Sequence, residues 1–202
     1  HDEPYGSGFL SAINSTKPKT RTKWLSTIQE ALQSAVPQFE SLNLEVDDSG
    51  QPHLIAGYRN WRQSPALQQE SEFSDGTLRL IGLLWAVISS RTSGGLLLLE
   101  EPELSLNAAI VRSLPTMMAS AQRGNDLQVF MSTHSPDLLD DEGVHPSEVL
   151  VLTVGSNGTE ADLLSGIDEA QPLLKAGLPR AEIVAGLINP LDLSILPRTL
   201  AG

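Results

Sequence analysis

Two carboxylates stand next to each other directly after a run of four leucines. The leucines occupy positions 96–99, Glu100 and Glu101 come next, and Glu103 follows a proline. An apolar strand that ends in acids places charge at its carboxyl end, where α/β sheets bind ligands. One acid there can hold Mg²⁺, directly or through water, while its neighbour orients an attacking water. The alternative is a solvated acidic turn after a buried strand.

A second segment combines Ser74, Asp75 and Gly76 with the start of an apolar helix. Ser or Asp at a helix start commonly accepts the free backbone N–H groups, which would make this segment an ordinary cap. A Ser-x-Gly start also leaves exposed N–H groups and a partial positive charge that suit a phosphate oxygen. Both interpretations remain open from the residues alone.

A third segment ends another apolar run, at residues 128–133, in the sequence Ser132, Thr133, His134. A lone histidine at a strand end is often only a hydrogen-bonded structural residue. The predicted position of this strand beside the acidic one favours a role for His134 at the same sheet edge.

Apolar spacing predicts the elements that position these segments. An amphipathic helix is expected at 21–35, a hairpin at 42–46 and 53–58, a loop at 60–72, and a buried helix at 78–88. The four leucines should form a central strand covered on both faces. Further predictions are a helix at 107–121 divided or kinked by Pro115, strands at 128–133 and 148–153, and short helices around Leu173 and Ile183. The alternation of strand and helix indicates an α/β sheet with crossover helices.

Composition sets limits on the function. The 202 residues include 25 acidic and 13 basic ones, a formal charge of −12, and no cysteine. Disulfides and cysteine-based zinc sites are therefore excluded. The sequence contains no run of about 18 apolar residues, the length that a membrane-spanning helix needs. No secretion signal is visible, so a cytoplasmic location is expected. A large nucleic-acid-binding face is disfavoured, and contact with DNA would need a local basic patch or another chain.

Together the three segments resemble the C-terminal half of an ABC-type ATPase head of the SMC, RecF and OLD-like branch, often labelled AAA-21-like. Residues 73–80 resemble the signature motif, 96–103 resemble Walker B, and 132–136 resemble the switch-histidine motif. The implied fold is the C-terminal lobe of a P-loop head, an α/β lobe whose mostly parallel sheet with crossover helices is preceded by a helix and a β-hairpin. The domain prediction is a flexible arm or cut linker at 1–18, the ATPase lobe at 19–155 and a helical tail at 156–202.

The resemblance implies roles for individual residues toward ATP and Mg²⁺. Glu100 corresponds to the Mg²⁺ ligand, Glu101 to the general base, and His134, within the motif that Ser132 begins, to the sensor of the γ-phosphate. The signature residues Ser74, Asp75 and Gly76 correspond to the nucleotide contact across a head dimer, and Glu103 to Asn107 to the interface loop. This sequence departs from the wider pattern in having Glu100 for Asp, and Asn107 where this branch often has His.

The 202 residues do not contain the P-loop that cradles phosphates in this family, since no Gly-Lys pair occurs among them. The expected partners are therefore an N-terminal lobe that carries the P-loop and a second head across ATP, with DNA contacted through other parts of the protein and no membrane. The expected function is ATP hydrolysis in DNA maintenance or phage defence, with this chain inactive alone. A non-catalytic module that partners an active ATPase is the alternative. A third interpretation, an OLD-type metal nuclease, is disfavoured because too few residues follow the histidine motif for its nuclease domain.

Overall fold

The computed structural model describes residues 8–61, 64–155 and 158–188, and the chain divides into two compact units, residues 1–133 and 134–202. Residues 1–7 of the predicted arm and 189–202 of the predicted tail lie outside the described residues. Part of the predicted arm forms a helix, α1 (Phe9–Ser15), whose Ile13 is fully buried. In the described part of the chain, no helix has the length and apolarity that crossing a bilayer requires.

The first unit starts with a helix packed on an antiparallel sheet. Helix α2 (Pro18–Ala35) is followed by β1 (Phe39–Val46), β2 (Pro52–Tyr58) and β3 (Ala66–Gln69), in the sheet order β1-β2-β3. The β1–β2 turn is held by Asp47, whose Oδ1 accepts the N–H groups of Ser49 at 2.9 Å and Gln51 at 2.8 Å. The predicted helix and hairpin are confirmed. The predicted loop at 60–72 is wrong in part, because β3 and a 3-10 turn, Glu70–Glu72, lie within it.

Helix α3 (Asp75–Ser93) joins this sheet to the strands that follow. Leu80, Ile81, Leu84 and Trp85 of α3 share one core with buried side chains of α2 and of the hairpin. In this core the rings of Trp24 and Trp85 meet edge to face at 5.1 Å. Gly94 ends the helix with φ 73°, a conformation that glycine adopts without penalty. The chain therefore enters the next strand directly from the helix.

Strands β4 (Gly95–Glu100) and β5 (Leu127–Ser132) form a parallel pair connected through α4 (Ala108–Val111) and α5 (Leu114–Gln122). The predicted division of this helical segment is confirmed, because α5 begins with Leu114 and Pro115 in its first turn, where proline lacks no needed hydrogen bond. The prediction that β4 is covered on both faces is wrong within the described residues, since Leu96 is 58% and Leu98 69% exposed.

The second unit has its own small core. It contains α6 (Pro136–Leu139), β6 (Leu150–Gly155), β7 (Gly158–Leu163), α7 (Ala170–Lys175) and α8 (Arg180–Ile188), around Val151, Leu164 and Ile183. The two predicted tail helices are present. The third predicted strand is present as β6, but it pairs antiparallel with β7, so parallel pairing in the described residues is confined to β4 and β5. The fold is α/β, with one parallel pair and crossover helices.

Candidate functional site

The carboxyl ends of β4 and β5 bring the acidic segment and Ser132 together. The two strands are in parallel register from Gly95 opposite Leu127 to Glu100 opposite Ser132. Both strands therefore end at the same edge, as the sequence predicted. Glu100 and Ser132 are exposed there, and Glu101 is half-buried. A carboxylate pair at the edge of a parallel sheet is accessible to a ligand approaching from solvent.

Glu101 has an unusual backbone conformation for a residue with a side chain. Its φ is 41°, in the left-handed region, which costs a non-glycine residue about 1 to 2 kcal/mol. The Glu101 N–H donates to the Ser132 carbonyl at 3.1 Å and lies 3.3 Å from the Ser132 Oγ. Strained residues of this kind persist where their surroundings hold them and cluster at functional sites. Ser132 thus holds the backbone that carries the second carboxylate.

A hydrogen bond from Thr133 to Glu103 fastens the loop after β4 to the end of β5. The Thr133 Oγ1 donates to Glu103 Oε1 at 2.5 Å, and both side chains are half-buried. From the sequence, Glu103 is expected in an interface loop and Thr133 has no individual role. The register of the two strands shows only that Thr133 lies one residue beyond the Glu100–Ser132 pair, and its contact with Glu103 depends on the path of the loop after β4.

The start of α3 lies against the same loop. A Cβ built on Gly76 would lie 2.5 Å from the Ser105 carbonyl oxygen, and Ser105 itself has φ 62°. Only glycine fits without a shift of backbone, because no real Cβ approaches so closely. The signature segment and the acidic loop, which are far apart in sequence, are therefore neighbours in the first unit.

Ser74 makes the capping contact that the sequence left as one of two interpretations. Its Oγ accepts the Thr77 N–H at 3.2 Å and lies 2.9 Å from Thr77 Oγ1. Ser74 and Asp75 are exposed. Asn107 caps α4 in the same way, since its Oδ1 accepts the Ala109 N–H at 2.8 Å. Capping uses the side-chain oxygen of Ser74 and leaves its surface open to solvent.

His134 begins the second unit and is exposed. The structure therefore brings Gly76, Glu100, Glu101, Glu103 and Ser132 into one region of the first unit. His134 follows directly after Thr133, but it is described with the second unit.

The donor set at the β4 edge suits Mg²⁺ in type. Carboxylate and hydroxyl oxygens are ligands that hard cations prefer, and Mg²⁺ commonly takes one or two carboxylates and completes its shell with waters and substrate phosphates. Within the described ranges, no cluster of three or more His, Asp and Glu could hold a metal ion by itself. Glu100 can thus contribute to a shared Mg²⁺ site but cannot form an all-protein one with its neighbours.

Comparison with known proteins gives one family and several solved structures of similar fold. The model of the family described as "AAA domain, putative AbiEii toxin, Type IV TA system" matches residues 15–140. No curated protein sequence matches the chain.

Three solved structures share the fold at low sequence identity. One, from work on ATP-driven dimerization and DNA-stimulated activation of SMC ATPases, is 13% identical with a TM-score of 0.55, over 78% of this chain and 92% of that one. The Smc head domain with a coiled coil and joint from Pyrococcus yayanosii is 14% identical with a TM-score of 0.56, over 84% of this chain. The Smc head bound to the C-terminal winged-helix domain of ScpA is 12% identical with a TM-score of 0.55, over 81% of this chain. This chain spans 32% and 50% of the latter two.

Proposed function

The chain belongs to this family of AAA domains and has the fold of an SMC-type ATPase head, and on that premise we propose that it is the C-terminal half of a head that binds and hydrolyses ATP. Nucleotide-dependent ATPase chemistry is the function that the family supports. The finer assignments to residues, partners and biological role are our proposal.

The arrangement of Glu100 and Glu101 at the β4 edge carries the proposal. Glu100 is exposed at the strand end, where it would hold Mg²⁺, an ion that supplies charge stabilisation to the phosphates. The backbone of Glu101 leaves the extended conformation at φ 41° and is held by the hydrogen bond to Ser132. A half-buried carboxylate held in this way can accept a proton from an attacking water. The two acids thus have distinct environments and distinct proposed roles.

The remaining site residues would act on the phosphates and on a second head. His134 would contact the γ-phosphate and sense its loss, with Ser132 contributing to the same motif. Ser74, Asp75 and Gly76 would face the nucleotide of an opposed head, since the α3 start carries N–H groups and a partial positive charge. The exposure of Ser74 and Asp75 and the contact of Gly76 with the acidic loop support this assignment. Asn107 would lie in the interface loop.

A lobe that carries the P-loop is the proposed partner of the β4–β5 pair. Among the described residues β4 pairs only with β5, and Leu96, Leu98 and Phe130 of this pair are 58%, 69% and 43% exposed. Parallel strands are normally covered on both faces. The absence of a Gly-Lys pair supports the same conclusion, because a P-loop needs that lysine.

Reconstitution with a P-loop lobe, in one polypeptide or as a second chain, tests the proposal. We expect Glu101→Gln to retain ATP binding and to slow hydrolysis at least ~100-fold, the usual scale for a lost general base. Glu30→Gln, an exposed change of the same chemistry on α2, is the matched control and should turn over normally. Unchanged turnover of Glu101→Gln would overturn the base assignment. The chain alone should bind Mg-ATP only weakly in calorimetry.

We further propose that ATP closes two heads against each other and that the machine acts in DNA maintenance or phage defence. The low identity to SMC heads carries only the fold, so this role rests on family membership. Sedimentation of the reconstituted head with and without ATP tests the pairing. A head that hydrolyses ATP as a monomer would contradict it. A head that neither binds nor hydrolyses ATP would instead favour a non-catalytic module.

A further inference from the structure

Positive charge is segregated at one end of this acidic chain. Lys17, Lys19, Arg21 and Lys23 lie within seven positions, and no Asp or Glu occurs between Glu3 and Glu30. The other 9 basic residues share positions 30–202 with 23 acidic ones. The first turns of α2 therefore form a local basic patch, defined here as Lys17, Lys19, Arg21 and Lys23, on a chain whose net charge is −12.

The structure leaves most of this charge accessible. Lys17, Lys19 and Lys23 are exposed, and in the described part of the chain no carboxylate lies within ion-pair distance of them. Lys19 and Lys23 are four residues apart and share one face of the helix. Arg21 is half-buried and donates through Nη1 to the Asn14 carbonyl at 2.8 Å, which fixes α1 beside the patch.

The neighbouring apolar side chains are committed to the core. Ile13, Leu25 and Ile28 are buried, and Trp24 packs against Trp85. A helix that lies on a membrane needs an exposed apolar face, and a single-stranded nucleic acid is usually held by exposed aromatic rings. Among residues 8–61 neither feature accompanies the basic patch, whereas a duplex phosphate backbone needs only positive charge on a polar surface.

We propose that the basic patch at the start of α2 contacts the phosphate backbone of duplex DNA without reading its sequence. The proposal places a DNA contact on this chain, through a local basic patch, in addition to the contact expected through other parts of the protein. It uses none of the residues assigned to ATP, so it can fail or succeed independently of the proposed hydrolysis.

Fluorescence anisotropy with a labelled duplex of about 30 base pairs, without nucleotide, tests the proposal on the 202-residue chain. Non-specific duplex binding has dissociation constants of about 10⁻⁴ to 10⁻⁶ M and weakens with salt by a slope of about −0.9 per phosphate contact. We expect binding in this range at about 50 mM salt. The combined variant Lys17→Gln, Lys19→Gln, Lys23→Gln should bind at least ~10-fold more weakly, with a salt slope flatter by up to about 2.7.

A matched variant removes the same charge elsewhere. Arg91, Arg123 and Lys175 are also exposed, and changing all three to Gln should leave the affinity within about twofold, because no phosphate contact is lost. Circular dichroism melts confirm that both variants fold. Absence of wild-type binding at low salt, or an equal loss in both triple variants, would overturn the proposal. Tighter binding to single strands or to anionic lipid vesicles than to the duplex would also overturn it.

Discussion

At the residue scale, two contacts of single side chains or atoms explain much of the site. Ser132 holds Glu101 in its left-handed conformation, and the missing side chain of Gly76 lets the Ser105 carbonyl approach α3. Each depends on one atom or its absence. Substitutions at these positions should therefore have effects out of proportion to their size.

Gly76→Ala should destabilise the fold by about 1 to 3 kcal/mol, because the new methyl would meet a backbone oxygen that cannot move freely. Gly82 provides the control on the same helix. A Cβ there meets nothing within 4 Å, so Gly82→Ala should stabilise by about 0.5 to 1 kcal/mol. Urea unfolding of both variants measures the difference. Equal effects would mean that the Gly76–Ser105 approach is not tight in solution.

The acidic neighbours of His53 lead us to expect that the stability of the fold depends on pH. The Glu70 carboxylate, 2.8 Å from His53 Nδ1, raises the pKa of His53 above its ordinary 6.5, with Asp47 at 3.4 Å from Nε2 contributing in the same direction. The Ser49 hydroxyl, with help from Gln51 and His53, lowers the pKa of Asp47 to about 2, so that carboxylate stays charged near neutrality.

Because the pKa of His53 is higher in the folded than in the unfolded chain, its protonation stabilises the fold below about pH 6.5. This stabilisation is lost as the pH rises through the pKa of His53 in the folded chain. We expect the free energy of unfolding to fall by about 1 kcal/mol or less across this window, the scale of partly exposed ion pairs. His53→Gln should remove the change. Identical pH profiles for the wild type and His53→Gln would contradict the assignment.

At the element scale, hydrophobic periodicity predicted the helices and strands that bury apolar side chains. It missed the strands that are held only by backbone hydrogen bonds to a neighbouring strand. α2 and the β1–β2 hairpin place apolar side chains on one face, and α3 is apolar on most sides, so their positions could be read from the sequence. β3 has both Ala66 and Leu67 exposed, and all six residues of β7 are exposed. Such strands form through backbone hydrogen bonds to β2 and β6, which leave no hydrophobic signal.

The same distinction applies to the candidate site. The sequence predicted that Glu100 and Ser132 lie at the same edge of the sheet. Two parallel strands have their carboxyl ends at one edge, and each of these residues ends an apolar run. It could not predict the Thr133–Glu103 hydrogen bond or the Gly76–Ser105 approach, because both depend on the path of the loop after β4. Loop paths follow local dihedral angles, such as those of Glu101 and Ser105, that residue type alone does not determine.

Substitutions of Ser74 test whether the start of α3 has a role beyond capping the helix. Ser74→Ala should cost about 1 kcal/mol of stability through loss of the cap to Thr77. Ser74→Arg should additionally prevent ATP-dependent pairing of reconstituted heads, because its bulk would occupy the opposed phosphate site. Sedimentation with ATP beside a thermal melt separates the two effects. Pairing by Ser74→Arg at the wild-type level would leave Ser74 as a cap only.

At the whole-molecule scale, the described residues present two surfaces for which we propose binding partners. The β4–β5 pair presents an apolar face, and the basic patch lies on an acidic chain. Each surface has a different proposed partner, a protein lobe for the first and a phosphate backbone for the second. The two surfaces can be changed separately.

Leu98→Gln with Phe130→Gln should leave the stability of the isolated chain within about 0.5 kcal/mol, because both side chains are already exposed. The same double variant should bind a P-loop lobe at least ~10-fold more weakly, since about 25 cal/mol per Å² of apolar burial is lost at the contact. Leu67→Gln, at an equally exposed leucine on β3, is the control. Undiminished association would place the lobe elsewhere.

The contiguity of α2, β1 and β2 has a consequence for how the molecule folds. These elements follow one another within residues 18–58, with no other helix or strand between them. Gln29 of α2 accepts a hydrogen bond from the Leu42 N–H of β1, and Gln33 donates one to the Glu40 carbonyl. Contacts close in sequence form quickly, whereas a parallel pair must first close a long crossover. The helix and hairpin should thus gain protection from hydrogen exchange earlier than β4 and β5, so the acidic edge would be assembled late, on a scaffold that is already in place.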